Sequence, residues 1–141
     1  MSVREIRSHP LFKKYSPSML GVALFLVFVP THLLVPKEVS VIIAALTLAM
    51  IGGAYIGFGA SSGAMSVFSL ELGNALLYTM VAFAGLMWSP LVLPLGLAAH
   101  AIWDVLHHNG AFGAPVPKWY IPFCVVFDLL AAVFLLFLYF P

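Results

Sequence analysis

The feature that most constrains this chain is a series of five apolar stretches, each about long enough to cross a bilayer. Only 8% of the 141 residues are charged, and a soluble domain carries about three times that share. A helix of about 20 residues spans roughly 30 Å of hydrocarbon and satisfies its own backbone polar groups there. The stretches are Pro17–Val35, Val39–Gly59, Met65–Met87, Pro90–His108 and Trp119–Tyr139.

These stretches predict an all-α, polytopic transmembrane bundle of about five spans. The bundle occupies residues 1–141 as a single integral membrane domain and leaves no room for a soluble one. Prolines interrupt the first and fourth stretches, at Pro30 in the first and at Pro90 and Pro94 in the fourth. A four-span arrangement, in which one of these two stretches is re-entrant, is the alternative.

The basic residues predict the orientation of the bundle. In a five-span arrangement, five of the six basic residues lie on the side of the short N-terminal segment 1–16. Basic residues concentrate in cytoplasmic segments, so we expect a cytoplasmic N-terminus. The chain has no basic array for nucleic acid, and its surroundings are the lipid bilayer, with a homo-oligomer left open. The five basic residues are Arg4, Arg7, Lys13, Lys14 and Lys118.

A cluster of ionisable residues lies in the fourth apolar stretch. On a helix its members fall within one arc about 100° wide. A charged carboxylate at the bilayer centre costs about 2.5–3.5 kcal/mol, so such groups persist when they have partners and usually mark a site. The members of this arc are His100, Asp104, His107 and His108.

Two further acids lie at similar depths in neighbouring spans. Glu71 is about 9 Å, and Asp128 about 15 Å, from the cytoplasmic start of its span. Asn74 and Tyr78 share the helix face of Glu71, at i+3 and i+7. We therefore expect the acids and histidines to face one another in the cytoplasmic leaflet, with Asn74 and Tyr78 in the surrounding shell.

Imidazole and carboxylate groups around a cavity are ligands for a divalent transition metal, here iron, zinc or manganese. One ion could bind a pair of ligands one helical turn apart, either His100 with Asp104 or Asp104 with His108. Two ions, one at each pair, would share Asp104. Glu71 and Asp128 are also candidate catalytic groups that move protons, and Asp104 could instead orient a histidine. A metal-free polar network and a proton or substrate pathway are the other interpretations. The candidate metal ligands are His100, Asp104, His107, His108, Glu71 and Asp128.

Three remaining features have structural interpretations. Gly53 and Gly57 have the spacing that lets two helices approach closely. The Gly- and Pro-rich segment 109–120 is an ordered turn or a lid above the site. His9 and His32 are expected to be structural or incidental, and the single cysteine excludes an intramolecular disulfide.

The C-terminal third resembles a family of small bacterial integral membrane proteins catalogued as a domain of unknown function. That resemblance supports the choice of residues, implies a location in a bacterial inner membrane, and implies no reaction. Looser similarities to membrane hydrolases of the alkaline ceramidase and adiponectin-receptor type, and to membrane desaturases, imply metal chemistry on lipids. This chain has fewer spans than the hydrolases, and it has one histidine cluster where the desaturases have several. The motif is His100-x3-Asp104-x2-His107-His108, then Pro115-x-Pro117-x-Trp119-Tyr120-x-Pro122-x-Cys124-x3-Asp128.

The sequence thus favours a small metal-dependent membrane enzyme that oxidises or hydrolyses a lipid or other apolar substrate. The alternatives are a proton- or cation-linked membrane transporter and an accessory subunit of a membrane complex. A metal enzyme should lose its ion when a ligating histidine is replaced, whereas a relay would purify without metal.

Overall fold

The computed structural model describes residues 16–141, which are helical with no strand among them. The predictions for residues 1–15, which concern His9 and four of the basic residues that set the orientation, lie outside this range. A short 3-10 turn, His108–Gly110, follows the fourth helix. The helices are α1 (Pro17–Leu33), α2 (Lys37–Ser61), α3 (Met65–Met87), α4 (Val92–Leu106) and α5 (Tyr120–Tyr139).

Within the described range, three helices are long and apolar enough to cross a membrane: α2, α3 and α5, with 25, 23 and 20 residues. The other two, α1 and α4, are apolar but shorter, with 17 and 15 residues. Large apolar side chains also cover the outward surface, as at Met50, Leu95 and Phe137, which are 70%, 64% and 79% exposed. Such a surface is typical of a protein surrounded by lipid.

Three prolines lie in the first turn of a helix, where their missing N–H group matters least, whereas Pro30 lies inside α1, which continues through it to Leu33. Pro17 opens α1 next to Ser16, whose hydroxyl caps the helix by accepting from the Met19 amide at 3.3 Å. Pro94 and Pro122 lie in the first turns of α4 and α5, where the N–H groups have no partner within the helix.

The fourth helix is shorter at both ends than the stretch Pro90–His108 from which it was expected. It begins at Val92, since Pro90 belongs to the turn that precedes it, and it ends at Leu106. Beyond that end the chain turns sharply, because Asn109 and Gly110 adopt left-handed backbone angles with φ of 57° and 72°. The prediction that the two terminal histidines of this stretch lie on the membrane helix is therefore wrong.

The most extensive helix contacts are those of α2 with α3 and of α4 with α5, which run antiparallel, and those of α1 with α5, which run parallel. The close approach of α2 and α3 depends on Gly52 and Gly59. A Cβ atom on Gly52 would lie 2.8 Å from Tyr78 Cβ, and one on Gly59 would lie 3.0 Å from Glu71 Cβ. The expected contacts at Gly53 and Gly57 are not observed, since a Cβ there meets no described atom within 4 Å.

An apolar layer fills the middle of the bundle. Its side chains come from α2, α4 and α5, are fully buried, and belong to one hydrophobic core. The layer separates polar groups near one end of the helices from those near the other. It consists of Ala44, Leu48, Leu93, Leu97, Ala131 and Leu135.

Candidate metal centre

Two pairs of side chains meet between α4 and α5. His100 and Asp104 lie one turn apart on α4, and Cys124 and Asp128 lie one turn apart on α5. Because these helices pack against each other, the two pairs face one another. All four side chains are buried, and one ligand atom from each lies within 4.8 Å of the other three. We call these four residues the four-ligand group.

The distances within the four-ligand group suit a metal ion with one exception. His100 Nδ1 is 3.6 Å from Asp104 Oδ2, and Cys124 Sγ is 3.7 Å from Asp128 Oδ2. Ligand atoms around a tetrahedral zinc ion are about 3.3–3.8 Å apart, from bond lengths of about 2.0–2.3 Å. The exception is the 2.7 Å contact between His100 Nδ1 and Asp128 Oδ2, which is a hydrogen bond. It would have to lengthen by about 0.6 Å for both atoms to bind one ion.

Carboxylate oxygens in the four-ligand group remain without partners. Asp128 Oδ1 accepts no hydrogen bond from any described residue, although the side chain is completely buried. A buried polar atom without a partner is uncommon in proteins and calls for an explanation such as a water molecule or an ion. The unpartnered oxygen is therefore consistent with a site that accommodates a cation.

Tyr55 connects α2 to the four-ligand group. Its hydroxyl donates a 2.5 Å hydrogen bond to Asp104 Oδ1, and the side chain is fully buried. Its ring contacts the rings of His100 and His107, at centroid distances of 5.7 and 4.8 Å. Sequence reasoning missed Tyr55, yet a tyrosine on an apolar helix requires a hydrogen-bond partner for its hydroxyl. That requirement was the signal.

Cys124 is the other residue that sequence reasoning missed as a ligand, since outside the family motif it was considered only for a disulfide. Cys124-x3-Asp128 repeats the spacing of His100-x3-Asp104, so each motif puts two ligands on one helix face. The equal spacing was a usable signal. Of the six candidate metal ligands from the sequence, the structure brings His100, Asp104 and Asp128 together.

Glu71 and His107 form a pair of their own. Glu71 Oε1 is 2.7 Å from His107 Nε2 and accepts a 2.8 Å hydrogen bond from the Ala114 amide. His107 Nδ1 donates to the Trp103 carbonyl oxygen at 2.8 Å, because a carbonyl oxygen can only accept. Both ring nitrogens of His107 are thus engaged in hydrogen bonds outside the four-ligand group.

The remaining candidate residues are His108, Tyr78 and Asn74. His108 is exposed in the 3-10 turn. Tyr78 packs its ring on that of His100, with centroids 5.1 Å apart. Asn74 has a buried side-chain nitrogen that finds no hydrogen-bond partner in the described part of the chain. Of the two residues expected in the surrounding shell, Tyr78 contacts a member of the group.

A third polar cluster lies at the opposite ends of the helices. His32 Nδ1 is 2.7 Å from Ser40 Oγ, which is 2.8 Å from the Tyr139 hydroxyl. All three side chains are buried, and the His32 ring packs against Phe28 at a centroid distance of 4.1 Å. His32 thus lies apart from the four-ligand group, in a position that agrees with the expectation that it is structural or incidental.

Comparison with known proteins identifies the family of this chain. Neither the curated proteins nor the solved structures contain a match to it. One family does match, and the match runs over residues 16–139, which include every described helix. The chain belongs to this family, DUF6010, a family of unknown function.

Proposed function

We propose that the protein is a small metal-dependent integral membrane enzyme that oxidises or hydrolyses a lipid or other apolar substrate. The observation that carries this proposal is the four-ligand group, in which two carboxylates, an imidazole and a thiol are buried within 4.8 Å of one another. Three of these ionisable side chains have no exposed surface, and burying them in an apolar bundle costs free energy. A bound divalent cation would offset that cost.

The donor atoms favour zinc or iron over manganese. A thiolate is a soft ligand, whereas manganese prefers carboxylate and water oxygens. Zinc accepts sulfur, imidazole nitrogen and carboxylate oxygen together, and it would support hydrolysis by activating a bound water molecule. Iron with the same ligands would support oxidation. The two metals therefore correspond to the two reaction types in the proposal.

An enzyme needs a coordination position for water or substrate, so three protein ligands are more suitable than four. We assign His100, Asp104 and Cys124 as ligands, and Asp128 as the carboxylate that moves protons. Asp128 holds His100 Nδ1 by a hydrogen bond of 2.7 Å. His100 would hold the ion as a neutral imidazole with its proton on the other ring nitrogen, and Asp128 would then be a carboxylate able to accept a proton. Tyr55 keeps Asp104 in place.

The site would lie in the cytoplasmic leaflet of a bacterial inner membrane, with all five helices crossing and the N-terminus in the cytoplasm. Asp104 is two residues before the end of α4, and Cys124 is four residues after the start of α5. Both helix ends flank the segment that contains Lys118, the described basic residue on the proposed cytoplasmic side.

The apolar layer favours an enzyme over a proton- or cation-linked transporter. A transport path needs polar groups through both halves of the membrane. On α5, the buried residues between Asp128 and Tyr139 are apolar, and on α2 the same holds between Ser40 and Tyr55. A dry layer of this kind separates the four-ligand group from the polar cluster at His32.

Elemental analysis of the detergent-purified protein tests the metal part of the proposal. We expect about one equivalent of zinc or iron in the parent protein, and its loss in Cys124→Ser and Asp104→Asn. The matched control is His32→Gln, which alters a buried polar cluster at the other end of the bundle and should retain the ion. A parent protein without metal after reconstitution would refute the proposed metal centre.

Turnover of membrane lipid tests the enzyme part. The parent and Asp128→Asn are reconstituted into vesicles of total bacterial lipid, and products are followed by mass spectrometry. We expect products with the parent only, while both proteins hold metal. The control Ser40→Ala should retain activity. Equal results for the parent and Asp128→Asn would exclude the catalytic role of Asp128, and metal without any turnover would favour an accessory subunit.

A further inference from the structure

The four-ligand group is closed to solvent and lipid. Its side chains are at most 2% exposed, so a substrate can reach the group only after part of the structure moves. The segment 107–119 joins α4 to α5 at the end of these helices nearest the group. Its His107 ring contacts the ring of Tyr55, whose hydroxyl binds Asp104. This segment begins three residues after Asp104 and ends five residues before Cys124. We call it the 107–119 segment.

Two hydrogen bonds hold the 107–119 segment against the bundle. Glu71 on α3 contacts His107 Nε2 at 2.7 Å and accepts a hydrogen bond from the Ala114 amide at 2.8 Å. One carboxylate oxygen, Oε1, therefore binds both the beginning and the middle of the segment. Ala114 is fully buried, although its neighbours Gly113 and Pro115 are exposed. His107 and Ala114 are the buried residues of the segment, and both contact the same carboxylate oxygen.

Gly113 allows this attachment. Its φ of 66° lies in the left-handed region, and a Cβ atom there would collide with His107 Nε2 and Glu71 Oε1. Gly110 has a φ of 72°, but a Cβ atom at that position meets no described atom within 4 Å. Both glycines have a positive φ, so alanine is equally strained at either position. Of the two, Gly113 is the one in close contact with His107 and Glu71.

Aromatic rings complete the cover. Phe112 packs on Trp103 and on His107, with both centroid distances 5.6 Å, and it is 43% exposed. Beneath it, the Tyr55 ring contacts His107 while the Tyr55 hydroxyl binds Asp104. A displacement of His107 would thus uncover the tyrosine that contacts the four-ligand group.

We propose that the 107–119 segment is a lid over the four-ligand group and that Glu71 is the latch that keeps the lid closed. Opening breaks the two contacts of Glu71 and admits the substrate from the cytoplasmic boundary of the membrane, with its apolar part remaining in lipid. This inference rests on the proposed function for what the lid controls. The attachment itself is independent of any metal.

The chain's one cysteine reports on lid opening, because Cys124 lies within the covered group. The rate at which a thiol-reactive maleimide labels Cys124 follows the population of the open state. We expect Gly113→Ala to label about tenfold faster than the parent, since it removes two hydrogen bonds to a carboxylate. Gly110→Ala, the matched control, should remain within about twofold. Equal rates in the two alanine variants would overturn the proposal.

Substitutions of Glu71 provide a second test, which decides the question if Gly113→Ala does not fold. Glu71→Gln retains a carbonyl oxygen for the Ala114 amide, whereas Glu71→Ala retains no acceptor. We expect labelling to increase from the parent to Glu71→Gln and further to Glu71→Ala. Elution as a single species in detergent identifies folded protein. Unchanged labelling in folded Glu71→Ala would refute the latch.

Labelling with and without added zinc distinguishes the lid from the metal centre. Zinc should slow the labelling of Cys124 if the thiolate is a ligand. Protection by zinc with no effect of the Glu71 and Gly113 variants would support the metal centre and exclude the latch. Faster labelling in those variants without protection by zinc would support the lid and argue against the metal centre.

Discussion

The hydroxyl of Tyr55 donates a 2.5 Å hydrogen bond to Asp104 Oδ1, which links α2 to the candidate metal ligands of α4. Both side chains are completely buried. An oriented carboxylate binds a metal better than a mobile one, since groups behind the ligands fix the ligand geometry. Tyr55 therefore belongs to the site, although it contributes no atom to the four-ligand group.

Tyr55→Phe should weaken metal binding without removing the aromatic contacts. Loss of a hydrogen bond to a metal ligand lowers metal affinity by about 10–100-fold. The measurement is competition for zinc against a chelator of known affinity. Tyr139→Phe is the control, since the Tyr139 hydroxyl is also buried and bonds to Ser40 in the other cluster. Similar losses in both variants would show a general effect on stability.

Cys124→Ser should change the preference among metals as well as the affinity. A hydroxyl is a harder donor than a thiolate, so zinc binding should fall more than manganese binding. Competition between the two ions, measured in the parent and in the variant, gives this ratio. If the ratio does not change, the sulfur atom does not contact the ion.

His100→Ala and His108→Ala should have opposite outcomes. The two residues belong to one sequence motif, but His100 lies in the four-ligand group and His108 is exposed in the turn after α4. We expect metal to be lost in His100→Ala and retained in His108→Ala, as determined by elemental analysis. Metal loss in both would restore His108 as a candidate ligand.

Gly52→Ala should destabilise the bundle, whereas Gly53→Ala should not. A Cβ atom on Gly52 would lie 2.8 Å from Tyr78 Cβ, and overpacking of this kind costs about 1–3 kcal/mol. The position next to it is open, and alanine favours a helix over glycine there by about 1 kcal/mol. Thermal unfolding in detergent compares the two variants. Equal melting temperatures would contradict the close packing of α2 on α3.

Much of this fold could be predicted from the sequence, because apolar length and helical period are local properties. The facing pair of His100 and Asp104 follows from the one-turn spacing alone. The end of α4 was harder to predict, since it depends on the backbone angles of Asn109 and Gly110. His107 and His108 were therefore assigned to a helix that stops before them.

The contacts between helices could not be predicted from periodicity. Cys124 and Tyr55 reach the site because α5 and α2 happen to flank α4 at that depth, which no single-helix pattern reveals. The packing of neighbouring helices also decides which glycines allow a close approach. Gly52 and Gly59 face α3, while the better-spaced pair Gly53 and Gly57 does not.

X-ray absorption at the metal edge of the purified protein tests the proposed metal centre most directly. The account predicts one sulfur atom at about 2.3 Å, together with nitrogen and oxygen atoms at about 2.0–2.1 Å. Cys124→Ser, which should purify without metal, is measured after zinc is added, and its spectrum should then contain no sulfur contribution. A bound metal without a sulfur neighbour in the parent protein would contradict the account, since it would place the ion outside the group formed by His100, Asp104, Cys124 and Asp128.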